Sequence, residues 1–291
     1  MNLQSFNIQT QRLTMAGLKN DCTSGVPVIA LHGWLDNAAS FIPICEKLIL
    51  DRPFYALEMP GHGLTEHRPK SASYHMVDNI LDILAFIETV CEQDSVSGQA
   101  VTLIGHSLGG IICSLVAAAA PDKIAKLVML DSLGPLTDET ENVLPQLRKA
   151  IKKAMQLSSS RLTVYPSKEM AAVVRMSGVG KVSKRAATLL VERGLKEVSG
   201  GYSWSSDSRL LEPSLLRFSE AQTEAVYSGI ECPVCLISGD KGYFASYKRL
   251  KHRLSYLDKT KVEKHIVAGG HHFHMDGDVQ GTAEIIYEFI K

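Results

Sequence analysis

The sequence lacks any excess of charge, since its 291 residues carry 31 Lys and Arg against 31 Asp and Glu. A domain that binds nucleic acid or an anionic membrane through bulk electrostatics has a basic surplus. The chain also lacks an apolar run of the roughly 20 residues that a membrane-spanning helix needs. We therefore expect no nucleic-acid partner and no membrane span.

The N-terminal stretch MNLQSFNIQTQ lacks the basic segment followed by an apolar one that marks a secretory signal peptide. The six cysteines are scattered through apolar segments. Cys232 and Cys235 have the C-x-x-C spacing of a redox or zinc pair, but they open a predicted strand and no second pair accompanies them. We expect buried, reduced thiols and a cytoplasmic protein.

Short apolar, β-branched segments recur along the chain and are typical of strands buried on both faces. They lie at 26–31, 54–58, 101–105, 127–131, 234–238 and 262–267. Segments of helical period separate them, at 40–48, 77–87, 108–120, 243–257 and 282–291. This alternation predicts an α/β fold with a mostly parallel central sheet flanked by helices. Residues 6–18 are expected to form an antiparallel pair at one edge.

Residues 132–228 break this alternation, because no buried strand is predicted there. Helical patterns at 139–155, 168–176 and 183–194 indicate a helical insertion, since a structureless loop of this length would be unusual. The insertion follows one core strand and precedes the next, so it would form a cap over the sheet edge where ligands bind. The predicted organisation is a core at 1–131, a cap at 132–228 and the rest of the core at 229–291.

The segment LIGHSLGG places Ser107 between Gly105 and Gly109, after a predicted strand and before a predicted helix. This is the context of a nucleophile elbow, in which a sharp turn exposes the serine hydroxyl. The helix N-terminus directs amide N–H groups toward developing negative charge. Ser107 is the candidate nucleophile, and the alternative is a tight packing turn with an incidental serine.

A serine hydroxyl needs a base, and imidazole suits that role because its pKa lies near neutral pH. Three candidates crowd one loop, His271, His272 and His274. The same histidines could hold a metal by composition, but no acidic or cysteine ligand pattern accompanies them in the sequence. We therefore expect no metal and no other cofactor.

The chain resembles the α/β-hydrolase fold over nearly its whole length. The segments HGWLD (32–36), EMPGHGLT (58–65) and GGHHFHM (269–275) are similar to motifs of that fold, with Glu58 and Thr65 where Asp and Ser are usual. The resemblance narrows to serine hydrolase-like proteins through His67-Arg68, DSRL (207–210) and GYF (242–244). It implies a helical cap and a Ser-His-Asp catalytic triad.

The resemblance assigns the base to His271, which directly follows the glycine pair. It also assigns the oxyanion hole to the backbone N–H groups of Trp34 and Leu108. The implied activity is hydrolysis of a small-molecule ester, with an apolar acyl or alkyl part, through an acyl-enzyme intermediate. A thioesterase or carbon–carbon bond hydrolase with the same triad stays open, as does a non-catalytic ligand-binding protein.

The position of the triad acid departs from the commonest pattern. In that pattern the acid lies in the loop after the seventh strand, three residues beyond a glycine. That position is Gly242, which has no carboxylate. Asp240 lies two residues early, and Asp131 ends the sixth predicted strand, so both acids stay open by position. The resemblance favours Asp131, because serine hydrolase-like proteins carry Asp after strand six and Gly-Tyr-Phe after strand seven.

Apolar residues of the insertion suggest an apolar substrate pocket, but we expect most of them to pack within the insertion itself. They are Leu144, Met155, Met170, Val173 and Met176.

Overall fold

The computed structural model describes residues 1–157, 163–246, 250–257 and 262–291. The strands of its large sheet are β1 (Gln4–Gln9), β2 (Thr14–Lys19), β3 (Val28–Leu31), β4 (Phe54–Leu57), β5 (Val101–His106), β6 (Ile124–Leu130), β9 (Val234–Gly239) and β10 (Val262–Val267). Their spatial order is β1-β2-β4-β3-β5-β6-β9-β10. The strands β7 (Leu195–Val198) and β8 (Gly201–Trp204) pair separately.

The large sheet is mostly parallel. Among the described strands, only the β1–β2 and β2–β4 pairs are antiparallel, which confirms the predicted antiparallel edge. Leu31 of β3 lies beside Gly105 of β5, and Gly105 lies beside Met129 of β6. Met129 in turn lies beside Leu236 of β9. The carboxyl ends of these four strands therefore meet at one edge, and the loops that follow them converge there.

Helices cover both faces of the sheet. The helices of the described residues, including those of the insertion, are α1 (Ile42–Cys45), α2 (Asp78–Gln93), α3 (Leu108–Ala119), α4 (Val143–Leu157), α5 (Lys168–Met176), α6 (Lys184–Gly194), α7 (Glu220–Ser228), α8 (Leu250–Ser255), α9 (Phe273–Asp276) and α10 (Val279–Ile290). Successive strand residues face opposite sides, so Leu103 joins a core with Phe86 of α2, whereas Ile104 joins a core with Ile286 of α10. Each such buried side chain contributes about 1.5–3 kcal/mol.

The prediction of one helix at 243–257 is only partly right. A 3₁₀ turn, Tyr243–Ser246, and the separate helix α8 occupy the described part of that segment. The 3₁₀ turn is held by a tertiary contact, because the Tyr243 N–H donates to the Asp131 carboxylate at 2.9 Å. Helical period alone does not reveal such a contact.

The insertion, residues 132–228, contains helices α4 to α7 and the β7–β8 hairpin. The sequence does not predict this hairpin, because its residues are mostly exposed or half-buried and form no buried apolar run. The insertion has an apolar cluster of its own, in which Ala187 and Leu190 of α6 pack with Ala171 of α5. Met275 from beyond β10 joins this cluster, so the insertion packs against the core.

One buried ion pair between the insertion and the core explains a departure noted in the sequence. Glu58 is fully buried, and its Oε1 lies 2.7 Å from Nε of Arg193 on α6. Arg193 also donates to the carbonyl of Gly17 at 3.0 Å. Glu58 Oε2 accepts the N–H of Leu64 at 2.8 Å, so the carboxylate joins its own loop to the insertion.

The six cysteines are unpaired thiols, and five of them are buried. Cys22 is half-buried, unlike the expectation for all six. Burial raises the pKa of Cys232 to about 11 and that of Cys235 to about 12, which keeps both thiols protonated. No helix in the described ranges has the length and apolar character that spanning a bilayer requires. The cytoplasmic location stays a prediction.

Candidate active site

Ser107 occupies the sharp turn between β5 and α3 that its motif predicts. Its φ of 51° and ψ of −115° lie where L side chains are strained. A Cβ on Gly105 would lie 2.4 Å from Gly110 Cα, and one on Gly109 would lie 2.1 Å from the Leu31 carbonyl oxygen. Both glycines are therefore required for this turn to close.

Asp131 and His271 form a short contact beside this turn. His271 Nδ1 lies 2.6 Å from Asp131 Oδ2, and the same oxygen accepts the Tyr243 N–H at 2.9 Å. Asp131 follows β6 with a φ of 43° and is fully buried. The ring of Tyr243 stacks on that of His271 with their centroids 4.0 Å apart. These contacts fix the His271 ring on two sides.

The surroundings of Gly242 indicate which acid, Asp131 or Asp240, pairs with His271. A Cβ on Gly242 would lie 2.4 Å from Asp131 Oδ1, so the Asp131 carboxylate occupies the space beside the usual acid position. Asp240 is exposed, and its Oδ1 accepts the Gly269 N–H at 2.8 Å. Asp240 therefore bridges two loops, and the geometry favours Asp131 as the partner of the base.

Ser107 and His271 line one cavity of about 1130 Å³, together with Trp34 and Leu108. Leu108 is the first residue of α3, so its N–H has no acceptor within the helix. Trp34 lies in a turn closed by the Asp36 N–H, which donates to Gly33 at 3.1 Å. Among the described residues no hydrogen bond joins the Ser107 hydroxyl to His271, and such bonds often tighten only with substrate.

The cavity wall is largely apolar. Its lining includes Met59, Met76, Val77, Ile111, Leu136, Val179, Leu210, Leu211, Leu215, Leu216, Phe218 and Phe244. None of the five apolar insertion residues named from the sequence lines it. Met176 packs against the insertion's own apolar cluster, the role expected for most of the five. The Trp34 indole also lines the cavity, and its Nε1 donates to the Leu210 carbonyl at 3.0 Å. The insertion therefore supplies a large part of the wall.

A second carboxylate–histidine pair lies beside the first. Asp36 Oδ2 lies 2.9 Å from His272 Nε2, and Asp36 Oδ1 lies 2.7 Å from Nη2 of Arg175 on α5. Burial alone would raise the pKa of Asp36, yet the neighbouring His272 and Arg175 hold it well below its usual value. The premise that no acid accompanies the histidine cluster is wrong, because Asp36 reaches it from 236 residues away.

His106 and His274 fill the space behind these pairs. Both are fully buried, and burial lowers the pKa of each well below its usual value, so both are neutral. His106 Nε2 donates to the His271 carbonyl at 3.0 Å, which also fixes its tautomer. These contacts give His106 a packing role behind the two pairs.

The cluster has the composition of a metal site, since Asp36, His106 and His272 each offer a ligand atom within 4.8 Å of the others. However, Arg175 Nη2 lies 2.7 Å from Asp36 and 3.5 Å from His272 Nε2. The guanidinium already supplies the positive charge that a metal would bring. The residues as they stand do not fit a bound cation.

Comparison with known proteins agrees with this geometry. A family model described as the alpha/beta hydrolase fold matches residues 26–278. The chain belongs to the α/β-hydrolase fold family. Serine hydrolase-like proteins are among its relatives, which confirms the narrower resemblance.

A probable serine hydrolase of Drosophila melanogaster is 31% identical over 257 residues, which cover 86% of this chain and 76% of that protein. A serine hydrolase-like protein of Danio rerio is 26% identical, covering 92% of this chain and 82% of that protein. The crystal structure of a hypothetical protein from Pseudomonas aeruginosa superposes with a TM-score of 0.87 at 37% identity, covering 98% of this chain and 97% of that one. The family and these names support a hydrolase.

Proposed function

We propose that this protein is a serine hydrolase that cleaves carboxylic esters through an acyl-enzyme intermediate. Ser107 is the nucleophile, His271 the general base and Asp131 the acid that orients it. The observation that carries this proposal is the 2.6 Å contact between His271 Nδ1 and buried Asp131, in the same cavity wall as the strained Ser107 turn.

In the first half of the reaction, His271 Nε2 takes the Ser107 hydroxyl proton as the oxygen attacks the ester carbonyl carbon. The tetrahedral intermediate then expels the alcohol, which leaves with that proton, and an ester of Ser107 remains. In the second half, His271 takes a proton from water as it attacks the acyl carbon. The acid product leaves, and the proton returns to Ser107.

The negative charge on the tetrahedral oxygen requires fixed donors. In this proposal the backbone N–H groups of Leu108 and Trp34 supply them, and the N-terminus of α3 adds a favourable dipole. Removal of one such donor in a comparable site costs about 10²–10³ in kcat. Ground-state esters carry no such charge, so these donors favour the transition state.

The substrate in this proposal is a small ester with an apolar acyl or alkyl part. The apolar wall of the cavity supports this, because burial of each methylene contributes about 0.8 kcal/mol. Residues 132–228 act as a cap that selects the substrate, because this segment includes Leu136, Leu210 and Leu216 of the lining. The core, by contrast, carries the proposed triad.

A panel of p-nitrophenyl esters of increasing acyl length tests this function, with the Ser107→Ala variant as control. We expect turnover by the parent, an acyl-length optimum and a pre-steady-state burst of p-nitrophenol. Turnover that persists within tenfold in Ser107→Ala would reject the nucleophile. A parent that binds these esters without turnover would instead indicate a ligand-binding protein.

A further inference from the structure

We propose that Arg175 is a positioning residue, which joins the insertion to the proposed catalytic histidine loop through Asp36. The guanidinium is the built-in cation of the Asp36–His106–His272 cluster. Because of this link, turnover depends on the position of the insertion relative to the histidine loop. The inference rests on the proposed function and extends it to residues outside the triad.

Each carboxylate oxygen of Asp36 has a partner at hydrogen-bonding distance. Oδ1 faces the Arg175 guanidinium at 2.7 Å and Oδ2 faces His272 Nε2 at 2.9 Å. The side chains are 10% exposed for Arg175 and 2% exposed for Asp36. Little solvent screens such a pair, and removal of one partner would leave a buried charge uncompensated.

The same three side chains connect three segments around the reaction centre. Asp36 ends the turn that carries the Trp34 N–H, and His272 directly follows His271. Arg175 belongs to α5 of the insertion. A shift of α5 would therefore act on the oxyanion turn and on the histidine loop together.

The chain after Arg175 reaches the other side of the histidine loop. Arg175 Nη1 donates to the Val179 carbonyl at 3.1 Å, and the Gly180 N–H donates to the Tyr243 hydroxyl at 3.1 Å. A Cβ on Gly180 would lie 2.5 Å from His272 Cε1 and 3.0 Å from His271 Cδ2. The insertion backbone thus packs directly on both histidines, while Tyr243 stacks on His271.

Arg193 on α6 provides a matched control. Like Arg175, it is 10% exposed and lies 2.7 Å from a buried core carboxylate, that of Glu58. The Glu58 carboxylate accepts hydrogen bonds from the backbone N–H groups of Ala38 and Leu64 and from Arg193. Loss of either arginine removes a similar ion pair, but only Arg175 touches the histidine cluster.

The first experiment measures kcat, KM and the thermal midpoint for Arg175→Met, Arg175→Lys and Arg193→Met. We expect both Met variants to lower the midpoint, and only Arg175→Met to lower kcat, by about 10²-fold as for a small misplacement of reacting groups. KM should change less than threefold, and Arg175→Lys should recover part of kcat. Equal kcat losses in the two Met variants, or kcat within threefold in Arg175→Met, would overturn the proposal.

The second experiment does not depend on turnover and uses Zn²⁺ as the probe. If the guanidinium fills the place of a cation, Arg175→Ala opens a site with one carboxylate and two imidazoles, which suits Zn²⁺. We expect calorimetry to show Zn²⁺ binding at least tenfold tighter in Arg175→Ala than in the parent, and its loss in Arg175→Ala with His272→Ala. Equal affinity in the parent and Arg175→Ala would overturn the cation role. A parent without esterase activity would reject the proposed function but leave this test intact.

Discussion

Two neighbouring histidines in this protein each face a buried aspartate, and the two pairs differ in the ring nitrogen that they use. His271 faces Asp131 through Nδ1, whereas His272 faces Asp36 through Nε2. The first arrangement leaves Nε2 for a substrate-side proton. The second leaves Nδ1 buried without a partner among the described residues. Ring orientation therefore distinguishes the proposed base, His271, from His272, since both histidines have a carboxylate at hydrogen-bonding distance.

The pairs also differ in what they connect. The pair of Asp131 and His271 joins two loops of the core, after β6 and after β10. The pair of Asp36 and His272 is completed by Arg175 from the insertion. We infer that the first pair carries out proton transfer. The second pair, with Arg175, fixes the positions of the Asp36 turn and the histidine loop relative to α5.

The largest expected effect compares the two histidines. His271→Ala should lower kcat by about 10⁶-fold, as removal of the base does in a comparable triad. In His272→Ala, kcat should fall far less, because the His272 ring positions the loop and transfers no proton in this mechanism. Ester turnover by both variants, with circular dichroism as the folding control, checks this. An inactive His272→Ala beside an active His271→Ala would reverse the roles.

The next comparison separates the two candidate acids. Asp131→Asn should lower kcat by about 10⁴-fold, because His271 then loses its orienting carboxylate and its tautomer. Asp240→Asn should remain within about tenfold, since Asp240 is exposed and bonds the Gly269 N–H. Parallel kcat measurements test the assignment, and a large loss confined to Asp240→Asn would overturn it.

A smaller effect is expected at Gly242. Its substitution by Ala would place a Cβ 2.4 Å from Asp131 Oδ1, so the carboxylate must shift. We expect kcat to fall by about 10²-fold with little change in KM, since reacting groups tolerate little displacement. Gly98→Ala, with no heavy atom within 4 Å of its Cβ, is the control for a glycine-to-alanine change without a steric clash. Equal kcat in both variants would contradict the steric account.

The smallest effect concerns stability at acid pH. Burial lowers the pKa of His62 to about 3, while an unfolded histidine titrates near 6.5. Between these values the unfolded chain binds more protons, so stability falls as pH falls below about 6.5. His62→Gln should reduce that loss by about 1 kcal/mol between pH 6.5 and pH 5.5, as measured by urea unfolding at the two pH values. An unchanged pH slope would show that His62 is charged in the folded state.

The fold could be predicted from the sequence because its strands are locally encoded. Buried runs such as VIAL of β3 are apolar throughout, and the Ser107 turn is bounded by its own glycines. The β7–β8 hairpin is mostly half-buried and has no such local mark. Elements that bury their side chains were predictable, and one that does not was missed.

The site was predictable only where its residues follow strands. Ser107 and Asp131 each directly follow a strand of the converging edge, so the pattern places them together. Arg175 reaches Asp36 across 139 residues, and no local period encodes that contact. The HGWLD segment does contain Asp36, which is one local clue to the site. Packing of the insertion, however, determines which residues Asp36 contacts.

The most direct test of the account is labelling with a fluorophosphonate, which forms a stable adduct with an activated serine. The account predicts a single adduct on the peptide that contains Ser107, as mapped by mass spectrometry. Labelling should be lost in His271→Ala and retained in His272→Ala. An adduct on another residue, or undiminished labelling of His271→Ala, would contradict the assignment of the Asp131–His271 pair to catalysis.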